Sequence, residues 1–515
     1  MAKDSLFEGE RLCSVVAGAT ALDTWQQLGL ALRRTRTVEL RLDWLKDDKE
    51  FERFVFLLRR RKHDPRVSLI ATCRRKEAGG RFRNGVTAQL ARLQEAVRAG
   101  CNWVDLEIES VESVPAFVID LYTSGARRIL SYHDFDGTPT KSALSRVAQK
   151  LDNLRRREEF DAVKIAIECG SLRDGLRVLG LAHANTSVMA VPMGEIATPL
   201  RILAPREKSP LTYAPLQTAT APGQVSLAAM QEVYRVDRLN RQTQVYGVIG
   251  QPIAHSLSPI LHNTGFMARR INAVYLPFLV KDLRDFLYAI EPLGIKGFSV
   301  TLPHKERILR HLDDCDPLAA AIGAVNTVVV RGSGKLFGYN TDYVGVLRAL
   351  ERRIPLAGSR VLIFGAGGAA RAVAFALAKG GASVSICARR PDQAKKLARE
   401  VHGELIPRAS LKREFFDAIV NTTPVGMHPN TRRSPLSARE LNCRLVFDTI
   451  YRPRRTKLLQ LADRKGIETV SGVEMFLAQG IAQWEIWTGT RAPEAAMRRA
   501  VLQSLAAEER ERGEP

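Results

Sequence analysis

Arg360-Val361-Leu362-Ile363-Phe364-Gly365-Ala366-Gly367-Gly368-Ala369-Ala370-Arg371 reads as a short apolar strand, a glycine-rich turn and the start of an alanine-rich helix. That order is what a dinucleotide-binding fold requires. Small residues permit the tight turn and let the backbone approach a pyrophosphate, whose charge then meets the helix N-terminus. The next strand ends Ser385-Ile386-Cys387-Ala388-Arg389-Arg390. An acid there would hold the ribose 2′-hydroxyl of NAD. Two arginines suit a 2′-phosphate instead, because guanidinium pairs with phosphate through parallel hydrogen bonds. The reading is an NADP site; the alternative is two solvated surface arginines.

Upstream of this turn, residues 246–342 are dense in polar motifs. Gly250-Gln251-Pro252-Ile253-Ala254-His255-Ser256-Leu257-Ser258-Pro259 places two hydroxyls on a turn, where they suit a carboxylate. Gly297-Phe298-Ser299-Val300-Thr301-Leu302-Pro303-His304-Lys305 reads as a strand ending on a lysine. Gly323-Ala324-Val325-Asn326-Thr327 and Gly338-Tyr339-Asn340-Thr341-Asp342 follow. Singly, each could be a turn with capping residues. Together they supply a lysine, an aspartate, two asparagines and several hydroxyls, which fits a polyhydroxylated acid beside a nicotinamide.

Residues 1–235 alternate short apolar strands with amphipathic helical stretches, the pattern of a parallel α/β fold. Strands are predicted near Leu12–Ala17, Val38–Leu42, Val67–Cys73, Trp103–Ile108, Arg128–Tyr132, Ala162–Ile167, Ser187–Val191 and Leu211–Ala214. Eight βα units in this length suit a closed (β/α)8 barrel, whose site lies at the carboxyl ends of the strands. Glu39, Arg41, Arg74, Glu107, His133, Lys164, Arg201 and Gln224 gather within or just beyond those strands. Lys164 is the most telling, since burial disfavours a charged amine and a neutral amine attacks carbonyls. A strand-edge lysine snorkelling to water is the alternative. His133 near the end of the neighbouring strand suits proton transfer beside a Schiff base. The polar stretch 235–244 separates the two halves, no internal repeat is evident, and Glu508–Pro515 reads as a disordered tail.

The chain has 515 residues, 45% hydrophobic and 26% charged, which is an ordinary globular balance. Its formal net charge of +22 raises the question of nucleic acid. The basic residues are spread along the chain, with clusters such as Arg59–Lys62 and Arg155–Arg157 on predicted helix faces, and no nucleic-acid motif accompanies them. No specific nucleic acid is therefore expected; a positive field would help attract small anions. Seven cysteines lie scattered without CxxC spacing, which argues for reduced thiols in a cytoplasm and against a zinc or other metal site. Residues 1–10 have no apolar h-region and no apolar run is long enough to span a bilayer, so neither a signal peptide nor a membrane association is expected. Oligomerisation stays open.

The second half resembles shikimate dehydrogenase through His255-Ser256-Leu257-Ser258-Pro259, Val300-Thr301-Leu302-Pro303-His304-Lys305, Gly323–Thr327, Asn340-Thr341-Asp342, Gly365–Arg371, Asn421-Thr422-Thr423-Pro424-Val425-Gly426-Met427 and Gly472…Met475…Gln479. The first half resembles type I 3-dehydroquinate dehydratase through Glu39-Leu40-Arg41, Arg74…Gly79-Gly80, Ser131-Tyr132-His133, Val163-Lys164-Ile165, Met193-Gly194 and Ala221-Pro222-Gly223-Gln224. Nearly the whole chain is covered, and it is similar to fusions of these two enzymes in this order.

The resemblance implies a dehydratase barrel over 1–238, a substrate domain over 244–345 completed by about 480–505, and a Rossmann NADP domain over 346–479. It implies that Lys164 forms an imine with the C3 ketone of 3-dehydroquinate, while His133 removes the C2 proton and protonates the leaving hydroxyl. Arg201 and Gln224 would hold the carboxylate, Glu39, Arg41 and Arg74 would contact ring hydroxyls, and Thr220 would act from a lid. In the other half Lys305 and Asp342 would be the catalytic pair, Ser256 and Ser258 would take the carboxylate, and Thr301, Asn326, Asn340 and Gln479 the hydroxyls. Gly365, Ala366, Gly367, Gly368, Ala369, Arg389, Arg390, Asn421 and Thr422 would bind NADP, with Met427, Gly472 and Met475 near the nicotinamide.

Three departures stand out. Ala78 occupies the place of a common glutamate, with Glu77 one residue earlier, so the carboxylate that orients His133 is open and Glu107 is a candidate. Thr220 replaces a serine, and Ala388 replaces an asparagine. The implied activity is dehydration of 3-dehydroquinate followed by NADPH-dependent reduction to shikimate. The alternatives are a second half that prefers quinate, against which Ser258 and Thr301 argue, and a basic scaffold or nucleic-acid-binding protein with inactive folds.

Overall fold

The computed structural model describes residues 6–7, 9–114, 125–217 and 223–512, so Thr220 lies outside the described residues. The chain divides into two compact units: Met1–Thr243 with Leu276–Leu293, and Gln244–Tyr275 with Gly294–Pro515.

The first unit is built on β1 (Leu12–Val16), β2 (Thr37–Arg41), β3 (Ser68–Thr72), β4 (Trp103–Glu107), β5 (Arg127–Asp134), β6 (Ala162–Glu168), β7 (Val188–Met193) and β8 (Thr212–Pro215). The hydrogen-bonded order is β7-β6-β5-β4-β3-β2-β1-β8, a nearly closed barrel in which, among the described residues, β7 and β8 are left unpaired with each other. Parallel pairing demands crossovers between strands, and helices supply them. Alternation along β6 sends Ala162, Lys164 and Ala166 to one face and Val163, Ile165 and Ile167 to the other. Ala162 and Ala166 join Cys13, Val15, Ile70, Ile129 and Met189 in an apolar cluster. Phe7 stacks on Trp103 within that cluster, ring centroids 4.4 Å apart. β5 runs further than predicted, so His133 lies within it, in register with Ala166.

The second unit holds two sheets. The first orders β9 (Gln244–Gly250), β10 (Ala273–Leu279), β11 (Ile295–Val300), β12 (Asp314–Cys315), β13 (Thr327–Val330) and β14 (Leu336–Tyr339) as β10-β9-β11-β13-β14-β12. β13 runs antiparallel to both neighbours. The second orders β15 (Arg360–Phe364), β16 (Ser383–Cys387), β17 (Glu404–Leu405), β18 (Phe416–Asn421), β19 (Cys443–Asp448) and β20 (Glu468–Ser471) as β17-β16-β15-β18-β19-β20. The order reverses between β15 and β18, and the glycine turn sits at that switch point, where doubly wound sheets bind nucleotides. Helix Gly472–Thr488 is apolar on nearly every side and correspondingly buried.

Two expectations change. β11 ends at Val300, so Lys305 stands on the turn beyond the strand rather than at its end. Residues 508–511 are helical, the last turn of Glu494–Glu511. Arg452 binds Glu508, and Arg454 Nε donates to Glu509 Oε2 at 2.8 Å, so ion pairs hold a segment whose composition alone reads as disordered. No helix among the described residues is long and apolar enough to cross a membrane.

Candidate active sites

In the barrel, Lys164 is buried, with Nζ 3.0 Å from Glu39 Oε1, 3.2 Å from Asp105 Oδ2 and 4.2 Å from the centre of the Tyr213 ring. Asp105 also accepts from Arg74 Nη2 at 2.8 Å and Ser131 Oγ at 2.6 Å. Burial alone would raise its carboxyl, but Arg74 and Lys164 overcome that and hold it well below the usual carboxylate range. Arg41 chelates Asp43, Nε to Oδ1 at 2.9 Å and Nη2 to Oδ2 at 2.8 Å. Desolvation, then Arg74 and Lys164, push His133 well below its ordinary range, so the imidazole is neutral at pH 7 and able to accept a proton. Arg201 is buried, and burial lowers its guanidinium to about 10 against the pull of Glu168. Half-buried Gln224 follows Gly223, whose positive φ of 73° fits the chain against the Gly194 carbonyl.

The sequence left open which carboxylate orients His133, with Glu107 as a candidate. Glu77 is exposed. Glu107 is engaged by Arg75, at 2.9 Å from the backbone N and 2.6 Å from Nε. The carboxylate whose charge favours protonated His133 is Asp105.

In the second unit, Lys305 Nζ donates to Asp342 Oδ2 at 2.6 Å, and Asn326 Nδ2 donates to Asp342 Oδ1 at 2.9 Å. Asp342 opens helix Asp342–Leu350, where the helix dipole favours its negative charge. Asn326 is fixed through Oδ1, which accepts from the Thr341 N–H at 2.7 Å. Gln479 Oε1 is 3.5 Å from Asn326 Nδ2, and Asn340 Nδ2 donates to the Ala324 carbonyl at 2.8 Å. The Ser258 N–H donates to Ser256 Oγ at 3.3 Å, so both hydroxyls share one turn. Thr301 follows β11 directly.

The glycine turn fits a dinucleotide. Gly365 has φ 127°, and a Cβ there would lie 2.4 Å from Thr422 Oγ1. Around Gly367 and Gly368 a Cβ meets nothing within 4 Å, so bare backbone faces open space at the start of helix Gly368–Lys379. Ala366 and Ala369 complete that turn. Arg389 and Arg390 are exposed just past β16. Asn421 ends β18, Met427 is exposed, Gly472 packs on Thr449 and Ile450, and Met475 lies against Gly345.

Residues 12–241 match the type I 3-dehydroquinase family, 248–328 the shikimate dehydrogenase substrate-binding domain and 472–502 the shikimate 5′-dehydrogenase C-terminal domain. A chloroplastic bifunctional 3-dehydroquinate dehydratase/shikimate dehydrogenase of Arabidopsis thaliana is 35% identical over 478 residues, 88% of this chain and 78% of the relative. The chain belongs to that bifunctional family. A shikimate dehydrogenase (NADP(+)) of Methanosarcina acetivorans is 43% identical over 279 residues, 51% of this chain and 99% of the relative. A solved shikimate dehydrogenase in complex with NADP+ is 38% identical, covering 52% of this chain and 97% of that one, with a TM-score of 0.49.

Sequence reasoning passed over two residues of this family member. Asp105 carried a signal: like Lys164 it is a charge inside an apolar strand, Trp103-Val104-Asp105-Leu106-Glu107. Gln483 is fully buried, accepts from Ser299 Oγ at 2.9 Å and donates to Thr327 Oγ1 at 3.1 Å. It stands four residues after Gln479 on an apolar helix, so the two amides share a face.

Proposed function

We propose that this chain performs two consecutive steps of the shikimate pathway, dehydrating 3-dehydroquinate in the barrel (1–238) and reducing 3-dehydroshikimate to shikimate in the second half. There 244–345, completed by about 480–505, holds substrate and 346–479 holds NADP. Family membership supports both activities, a lyase and an NADP-dependent oxidoreductase. The observation that carries the residue assignment is a lysine held by carboxylate in each half: Lys164 with Glu39 and Asp105, Lys305 with Asp342.

Lys164 adds to the C3 ketone and the resulting imine acidifies the C2–H. Neutral His133 takes that proton and returns it to the departing hydroxyl. Arg201, Gln224 and Thr220 bind the carboxylate end, and Glu39, Arg41 and Arg74 face the ring hydroxyls. NADPH supplies a hydride when bound. Lys305 protonates the carbonyl oxygen as it gains charge, and Asp342 aims Lys305 and Asn326 together at that oxygen. Ser256 and Ser258 bind the carboxylate, and Thr301, Asn326, Asn340 and Gln479 the hydroxyls. The turn Gly365–Ala369 meets the pyrophosphate, Arg389 and Arg390 the 2′-phosphate, and Asn421, Thr422, Met427, Gly472 and Met475 shape the nicotinamide end. Free thiols at all seven cysteines support a cytoplasmic setting.

The test is NADPH oxidation on addition of 3-dehydroquinate. Oxidation with 3-dehydroshikimate but not 3-dehydroquinate would sink the dehydratase half; oxidation with neither would sink the reductase half, and the dehydratase is then read directly by the ultraviolet absorbance of the enone product.

A further inference from the structure

Lys164 can attack a ketone only as a neutral amine, so its ammonium proton must move first. Two carboxylates touch Nζ, and their surroundings differ. Asp105 is also bound by Arg74 and Ser131. Arg74 is 4% exposed, and its other acidic contact, Glu107 at 3.5 Å, is shared with Arg75. A proton on Asp105 would leave the buried Arg74 cation short of counter-charge, which is costly. Glu39 differs. Among the described residues Lys164 is its one ion-pair partner. Thr72 Oγ1 donates to the same oxygen, Oε1, at 3.0 Å, and Oε2 makes no hydrogen bond to the described residues. A proton passing from Lys164 to Glu39 neutralises both members of one pair and leaves Asp105 and Arg74 matched.

We propose that Glu39 is the acid–base group of imine formation, beyond contacting a ring hydroxyl; this rests on the Schiff-base reading of Lys164. Glu39 takes the ammonium proton. The freed lone pair bonds to C3 while the carbonyl π pair moves to oxygen. A proton then passes from nitrogen to that oxygen, giving a neutral carbinolamine. Glu39 returns its proton to the hydroxyl, the C–O bond breaks, water leaves and the nitrogen lone pair forms the C=N bond. Ammonium and ketone become protonated imine and water, and Glu39 ends as the carboxylate it began as. Asp105 stays ionised throughout and steadies Arg74.

The test uses the full chain, mixed rapidly with 3-dehydroquinate and quenched with borohydride at intervals, with the adduct on Lys164 read by mass. Glu39→Gln slows adduct formation by about 10²-fold or more. Its circular dichroism spectrum and unfolding midpoint stay close to wild type, which reports a folded barrel. Glu39→Ala regains adduct formation in proportion to added formate. A Glu39→Gln rate equal to wild type would overturn the proposal and leave Glu39 as a hydroxyl contact. A slowed Glu39→Ala that formate does not accelerate would overturn it too, as a purely positional effect. If wild type itself gives no adduct, the Schiff-base reading fails, and that result is distinguishable from either.

Discussion

Lys164 and Lys305 each touch a carboxylate, at 3.0 and 2.6 Å, yet their side chains are 8% and 22% exposed and their partners differ in number. Lys164 lies inside a barrel between two acids, beside Arg74 and a neutral histidine. Lys305 stands on a turn with one acid, which also holds Asn326. On the proposed roles, the first setting places two carboxylates against a nucleophile, and the second aims a proton donor together with Asn326. One residue type would then serve two chemistries through the neighbours it is given.

The sharpest way to break this contrast is Lys164→Ala. Borohydride adducts and dehydration should vanish while shikimate oxidation persists; an adduct on another lysine, or surviving dehydration, would remove Lys164 from its role. Lys305→Ala should spare dehydration and lower kcat for shikimate by about 10²–10⁴-fold, with little change in KM. Lys305→Ala with Asp342→Ala should lose far less than the product of the two single losses, since the pair works as a unit. A raised KM with normal kcat would make Lys305 a binding group only.

Arg389→Ala extends the comparison to the cofactor. A charge-assisted contact to the 2′-phosphate is worth roughly 1.5–3 kcal/mol. NADP binding should weaken by about 10- to 150-fold with NAD spared, as judged by titration with each. Equal loss for both would assign Arg389 a structural role.

Buried carboxylates give a parallel contrast. Asp105 faces two cations and is pulled down. Asp448 is fully buried among neutral donors: Asn421 Nδ2 at 2.9 Å, the Ile450 N–H at 3.1 Å and Thr456 Oγ1 at 2.6 Å. Burial raises it from 3.8 to about 6. Because its folded value exceeds the unfolded one, stability is greatest below about pH 4 and falls as pH rises through about 6, by at most roughly 3 kcal/mol. Asn at this position can keep all three bonds if the Thr456 hydroxyl turns. Asp448→Asn should therefore flatten the pH dependence of unfolding between about pH 4 and 6 and gain on wild type above it. An unchanged slope would show that Asp448 does not titrate there.

The smallest expected effect is a displaced pH limb. With His133 pushed below its ordinary range, dehydratase kcat/KM should stay level as pH falls through about 6.5. A limb at or above that value would mean the base is not the depressed imidazole.

Much of this was legible in the chain. Short apolar runs spaced by amphipathic helical stretches marked the eight barrel strands because a parallel barrel strand is buried on both faces, and the turn Gly365–Ala369 declared itself because only small residues let backbone approach a pyrophosphate. Lys164 was visible because a charge inside an apolar run has to be explained locally. What local pattern could not give was which distant partner each charge would meet. The strand register alone puts Ser131 opposite both Lys164 and Glu107, yet Arg75 captures Glu107 and it is Asp105, 59 residues away in sequence, that meets Lys164. Residues 508–511 are ordered by Arg452 and Arg454, more than fifty residues upstream. Backbone preference and hydrophobic period act over a few residues and are written in sequence, whereas ion pairing is fixed by whichever side chains the closed fold brings within about 4 Å, and that is decided only when the sheets assemble.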